Sequence, residues 1–323
     1  KTAGVYVVAA FEHEFQLKSH SGLLGEGFGR AGFEYQRELC ETIVTQIEAT
    51  GLQPDSIMKE YGPEQYEIVI GPEDGMRAAD AAVIVREIVR SSARHLGEEA
   101  TFSPILDPSS VGNGVHIHMS FKDANGLSKT YDPNGNCGMS KLTDSFAAGV
   151  LKYLDSILAI TAPSAISYLR LTPHRWSAAY NNLGFLDREA SLRICPVTTK
   201  DPASVADQFN IEYRAADSAA CPHLALAAIV YAGVQGIEEG LISPEPTAED
   251  LSLLSPNELK KRGFIRLPQS LNAALNCMNL NKILRSWFSD EFVDVYLAHK
   301  NSELEHVKDM DDLARCAEYG QTY

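Results

Sequence analysis

GNGVHIHMSF, residues 112–121, sets His116 and His118 two apart in an apolar run that follows two glycines. Side chains two apart diverge on a helix and share a face on a strand. As a strand, the stretch puts His116, His118 and Ser120 on one side against Val115, Ile117 and Met119 on the other. Three further runs repeat the division. In AAFEHEFQL (residues 9–17), Glu12 and Glu14 oppose Phe11, His13 and Phe15. In QYEIVI (65–70), Glu67 opposes Tyr66, Ile68 and Ile70; in NIEYRAA (210–216), Glu212 and Arg214 oppose Ile211 and Tyr213. A single polar strand face is the ordinary solvated side of an antiparallel sheet. Four faces built from Glu and His are different, because converging carboxylates repel unless cations neutralise them. Oxygen donors with a minority of imidazole suit Mg²⁺ or Mn²⁺ better than zinc, and such ions commonly bridge carboxylates and nucleotide phosphates.

Periodicity predicts strands over 5–17, 65–70, 115–121, 191–194 and 211–215, and helices over 33–49, 77–96, 142–162, 224–239, 271–288 and 291–305. Pro222 opens the fourth helix and Gly240 closes it. The two kinds of element alternate irregularly, with no repeated β-α-β unit. That favours an α+β domain with a mainly antiparallel sheet over a doubly wound fold. Residues 122–140 and 241–269, rich in Gly, Asn, Asp or Pro, read as long exposed loops.

The chain has 323 residues, 45% of them hydrophobic, enough for a large core. A net charge of −15 argues against nucleic acid and anionic membrane as partners, so any bound anion needs a local cluster of cations. No apolar run approaches the roughly 20 residues of a membrane span. Six cysteines without a C-x-x-C pair fit a reduced cytoplasmic protein. Such a cationic cluster exists in residues 166–195, where Arg170, Arg175, Arg188 and Arg193 fall close together; their forks match carboxylate and phosphate geometry, although Arg175 reads equally as a surface arginine.

At these residues the chain resembles the catalytic domain of glutamine synthetase and its glutamate–amine ligase relatives. FEHEF looks like the family's first metal strand, KEYGPEQYEI its E-x(6)-E segment, and GNGVHIHMS its G-x-H-x-H-x-S segment. SYLRLTP, LDREASLRI and IEYRAADSAACPHLALAAI follow in the family's order, and the likeness runs on to YLAHKNSELEHVKD. The resemblance implies a curved, mainly antiparallel sheet lining the active site, with helices packed outside. Residues 1–323 would form one catalytic domain, and the family's small N-terminal β-grasp-like domain would lie outside this chain. It also implies two or more Mg²⁺ or Mn²⁺ ions, with ATP as co-substrate. Glu14, Glu60 and Glu67 would hold one ion; Glu12, His116 and Glu212 would hold the other. His118 and Ser120, with Arg193, would face the nucleotide. Arg170, Arg214 and Gly112 would bind the amino-acid substrate, while Arg188 and Arg193 would stabilise the transferring phosphoryl group. The implied partners are glutamate and an amine, in a cytoplasmic homo-oligomer of stacked rings.

The departures concern the amine. Ammonia-using members place a glutamate shortly after R-L-x-P; here the stretch reads RLTPHRWSAAY, with Trp176 at that position. An indole cannot take a proton, although its face attracts cations. The expectation is therefore a γ-glutamyl–amine ligase whose amine is larger than ammonia. The alternatives are ordinary glutamine synthetase and a non-catalytic structural relative. Val111, Asn210, Glu64 and His223 are further departures.

Overall fold

The computed structural model describes residues 4–18 and 27–323. Its centre is a nine-stranded sheet: β1 (Tyr6–Leu17), β2 (Pro54–Lys59), β3 (Gln65–Ile70), β4 (Glu73–Asp74), β5 (Ala100–Thr101), β6 (Val115–Lys122), β7 (Leu183–Phe185), β8 (Leu192–Ile194) and β9 (Ile211–Ala216). The main order is β2-β3-β1-β6-β9-β8-β7, with β4 and β5 added along β1. Every pairing is antiparallel except β7 with β8. This is the expected α+β architecture.

The apolar strand faces carry the core. Ile117, Met119, Ile211 and Tyr213 pack against the helices Lys141–Thr161, Pro222–Glu238 and Leu271–Leu280. Phe15, Tyr66 and Ile68 pack against the helices Arg37–Ala49 and Gly75–His95. Ser140 caps Lys141–Thr161 by accepting the Thr143 N–H, Pro222 opens its helix at the first turn, and Gly240 ends that helix in the left-handed region at φ 64°. With helices on the apolar side, the opposite face is left for the acids, histidines and arginines.

The expected helix 271–288 is two helices. Asn281 takes an extended conformation between them, and its side chain accepts the N–H groups of Ile283 and Leu284, capping Lys282–Trp287. The expected helix 33–49 likewise breaks at Gln36, leaving Arg30–Tyr35 and Arg37–Ala49. Strands β2 and β7 escape a periodicity reading for a shared reason. β2 opens on Pro54 and is bulged against β3, and β7 has only three residues, too few to show a period. The long excursion 241–269 contains a short helix, Pro256–Arg262, capped by Ser255 and ended by Gly263 at φ 78°.

Candidate active site

Register does what strand alternation alone cannot. Glu14 stands opposite Glu67, Glu12 opposite His116, His118 opposite Glu212, and Glu212 opposite Arg193. Facing side chains on adjacent strands are near enough to interact directly. The result is a band of acids and imidazoles across β3, β1, β6, β9 and β8.

His116 Nδ1 lies 2.9 Å from Glu12 Oε2 and 3.5 Å from Glu212 Oε1. His118 Nε2 lies 3.3 Å from Glu12 Oε1, and its Nδ1 donates to Asn210 Oδ1 at 2.8 Å. The Arg193 guanidinium donates to Glu212 Oε2 at 3.0 Å, and Arg214 bonds the other oxygen of Glu212. Among the described residues, donor atoms of Glu12, His116 and Glu212 lie within 4.8 Å of one another, as do those of Glu14, Glu67 and His116. A third such group joins His118, Cys195 and Glu212. Glu60 stands beside the band; its carboxylate accepts the Tyr61 N–H at 3.1 Å and feels the charge of Glu14.

The electrostatics of these groups divide sharply. Burial, then repulsion from Glu12, Glu14 and Glu60, pushes the Glu67 carboxyl up to about 9. Burial and Glu14 push Glu60 to about 7. Burial also opposes the charge on Glu12, yet its bonds with His116 and His118 hold it far below the usual carboxylate range. Glu212 overcomes the same burial because Arg214 and the two histidines surround it, and it falls to about 2. Glu67 on β3 thus lies among other acids, while Glu12 on β1 and Glu212 on β9 lie among histidines and arginines. Carboxylate oxygens with one imidazole per group are a donor set suited to hard divalent ions.

The arginines and glycines shape the adjoining floor. Arg170 is buried and spans Ser177 Oγ at 3.1 Å and the Ala216 carbonyl at 2.8 Å. A Cβ at Gly112 would lie 2.3 Å from the Pro104 carbonyl oxygen and 2.7 Å from Arg170 Cγ, so only glycine permits this approach. Arg214 Nε donates to the Arg188 carbonyl at 2.9 Å and another of its nitrogens to the Trp176 carbonyl at 3.2 Å. Arg188 is exposed, and Ser120 sits farther along β6, opposite Val8.

Trp176 occupies the rim. His174 and Trp176 both take left-handed backbone conformations, at φ 64° and 51°. The Glu189 carboxylate accepts the N–H groups of both, each at 3.2 Å. The Trp176 ring, 46% exposed, meets Tyr61 edge-on at 4.8 Å and Phe28 at 6.3 Å. A cavity of about 290 Å³ opens beside it, lined by Trp176, Tyr180, Asp187, Glu189, Glu249 and Asp250. Sequence reading passed over Glu189, Phe28, Tyr61 and Cys195. For Cys195 a signal existed, since period-2 alternation from Arg193 puts it on the same face. The aromatic cluster joins three segments distant in sequence and left no such trace.

Residues 1–313 match the family described as glutamine synthetase, catalytic domain. A gamma-glutamylpolyamine synthetase of Streptomyces coelicolor is 33% identical over 302 residues, covering 93% of this chain and 63% of that protein. A type-1 glutamine synthetase of Dictyostelium discoideum is 35% identical, covering 87% of this chain and 55% of that protein. A solved structure described as a novel glutamine synthase homolog superposes with a TM-score of 0.90 at 38% identity, over 100% of this chain and 72% of that one. The chain thus spans about three fifths of the length of the curated relatives it matches. Taken with the ordered strand motifs and the band of acids, histidines and arginines they build, these matches show that the chain belongs to the glutamine synthetase family and carries its catalytic domain.

Proposed function

We propose that this domain is the catalytic part of an ATP-dependent ligase joining the γ-carboxylate of glutamate to an organic amine other than ammonia. One observation carries the choice of amine: an exposed tryptophan, flanked by Tyr61 and Phe28, stands where ammonia-using members have a glutamate, beside a full band of acids and arginines. Identity to the relatives does not decide it, since a polyamine ligase at 33% and a glutamine synthetase at 35% are equally near.

The residues divide the work as follows. Glu12, His116 and Glu212, with Glu14, Glu60 and Glu67, would hold two Mg²⁺ or Mn²⁺ ions. When bound, these ions neutralise phosphate charge and draw electrons from the γ-phosphorus of ATP. His118, Ser120 and Arg193 contact the phosphates; Arg170, Arg214 and the backbone at Gly112 seat glutamate. The γ-carboxylate oxygen attacks the γ-phosphorus and ADP leaves, with Arg188 and Arg193 taking up charge on the moving group. The amine then attacks the acyl carbon and phosphate departs. Trp176 cannot accept the proton this amine loses, so the amine enters neutral or gives the proton elsewhere. The ring faces at the rim suit a carbon-bearing ammonium. Of the acids lining the adjoining cavity, Glu249 pairs with Arg262 and Asp250 with His174, which leaves Asp187 and Glu189 to favour a second positive centre on the amine.

The same reading makes the protein a cytoplasmic homo-oligomer of stacked rings, in which a neighbouring N-terminal domain closes the pocket. Among the described residues no helix is long and apolar enough to cross a membrane.

The test is phosphate release by the full-length protein with Mg²⁺, ATP, glutamate and a panel of amines. Release should depend on an organic amine and exceed that with ammonia. No amine-dependent release would overturn the ligase reading, and efficient turnover with ammonia would restore ordinary glutamine synthetase. Trp176→Glu should raise ammonia-dependent turnover about a hundredfold, the lower end of the usual range for a positioned acid–base group.

A further inference from the structure

Cys195 is buried at the end of β8, with its Sγ 3.5 Å from His118 Nδ1 and 3.8 Å from Glu212 Oε2. Asn210 Oδ1 lies 2.8 Å from that same imidazole nitrogen, and the Cys195 N–H bonds the Asn210 carbonyl at 3.1 Å across the β8–β9 pair. One sulfur, one imidazole nitrogen and one carboxylate oxygen therefore converge at the edge of the band, sharing His118 and Glu212 with it, and the Asn210 amide oxygen stands against the imidazole. The geometry points to a separate site for a thiophilic divalent cation, zinc or cobalt, held by His118, Cys195, Asn210 and Glu212.

Three observations support it. Zinc–sulfur bonds of about 2.3 Å and zinc–nitrogen or zinc–oxygen bonds of about 2.0–2.2 Å, set at tetrahedral angles, place donor atoms about 3.6 Å apart. The separations of 3.5 and 3.8 Å from Cys195 need little adjustment to meet that spacing, whereas Asn210 Oδ1, 2.8 Å from Nδ1, has to draw back as their hydrogen bond is replaced. Glu212 offers its two oxygens to different sides: Oε1 faces His116, and Oε2 faces Cys195. It can thus serve this site without leaving the other, although Arg193 shares Oε2. Finally, for Nδ1 to take the ion it gives up the proton it now shares with Asn210, and the ring's N–H moves to Nε2, which faces Glu12 Oε1 at 3.3 Å. A ligating imidazole ordinarily donates its other N–H to a carboxylate in this way. As a neutral amide, Asn210 offers a carbonyl oxygen to a cation that a basic side chain there would repel.

The ion would occupy His118, so under the ligase reading it would compete with the nucleotide. Binding itself does not depend on that reading, which keeps the two separately testable. Co²⁺ added to the full-length protein in saturating Mg²⁺, without nucleotide, should bind one per chain and produce a thiolate-to-cobalt charge-transfer absorption that Zn²⁺ abolishes. Cys195→Ser should lose the band while keeping its thermal transition. Asn210→Lys, which leaves the thiol in place and puts an ammonium among the donors, should weaken cobalt binding at least about tenfold. No charge-transfer band, a band that survives Cys195→Ser, or unchanged affinity in Asn210→Lys would each overturn the site.

Discussion

Glu212 is 1% exposed and accepts bonds from Arg193 and Arg214 on its two oxygens, while both histidines of β6 face it. A buried charge so surrounded is held by its partners, and removing it leaves two guanidinium groups uncompensated. Glu212→Gln should therefore lower unfolding free energy by about 3 kcal/mol in chemical denaturation, besides weakening Mn²⁺ binding. Little change in the unfolding midpoint would mean that the arginines find other partners. Trp176 shows the same logic at the rim. Its left-handed backbone is held by Glu189 on the N–H side and Arg214 on the carbonyl side, so the indole is aimed by one residue of the rim cavity and one arginine of the adjoining floor.

Among the elements, the contact between the helices Lys141–Thr161 and Pro222–Glu238 sets the sheet's backing. A Cβ on Gly236 would lie 2.3 Å from the Ser145 carbonyl oxygen, and one on Gly149 would lie 2.3 Å from that of Ala232. In an exposed helix, Gly→Ala stabilises by about 1 kcal/mol. Here the overlap is with backbone, which cannot move aside as a side-chain tip can, and overpacking of this kind costs about 1–3 kcal/mol. Gly236→Ala should therefore lower the denaturation midpoint, and a raised midpoint would show the helices free to separate. Sequence periodicity found both helices, since each carries a long apolar stripe. It did not find the breaks at Gln36 and Asn281, because a single residue's dihedral interrupts the helix without interrupting the hydrophobic pattern.

For the whole molecule, the surplus of acid at the sheet's centre makes stability depend on pH and on ions. Glu67 has a folded pKa of about 9 against about 4.3 when unfolded, so between pH 7 and 9 the folded state binds more protons than the unfolded one. Stability then falls as pH rises through this range, by at most about 1.4 kcal/mol per pH unit for one group. Glu60, at about 7, gives up most of its share by the lower end of the range. A divalent ion replaces the proton and should flatten the slope. Melting curves at pH 7, 8 and 9 should show the ion-free protein losing stability and Mn²⁺ stabilising it most at pH 9. A stabilisation by Mn²⁺ that shrinks with pH would mean that these carboxylates are not what the ion displaces.

The make-up of the site follows from the chain's own periodicity. Two-residue alternation assigns Glu12, Glu14, Glu67, His116, His118, Glu212 and Arg214 to polar strand faces whatever the strand order, because a pleated backbone cannot present them otherwise. It determined the fold class too, through irregular alternation of long helices with amphipathic strands. Only the tertiary structure decided who meets whom. Register put Glu212 between His118 and Arg193, and made Cys195 and Asn210 neighbours of His118. Chain segments far apart brought Phe28, Tyr61 and Trp176 together over the rim, with Glu189 fastening the loop beneath. Periodicity is a property of neighbours along the chain, whereas strand pairing and loop closure are set by the burial of the entire apolar face. No local pattern records the outcome.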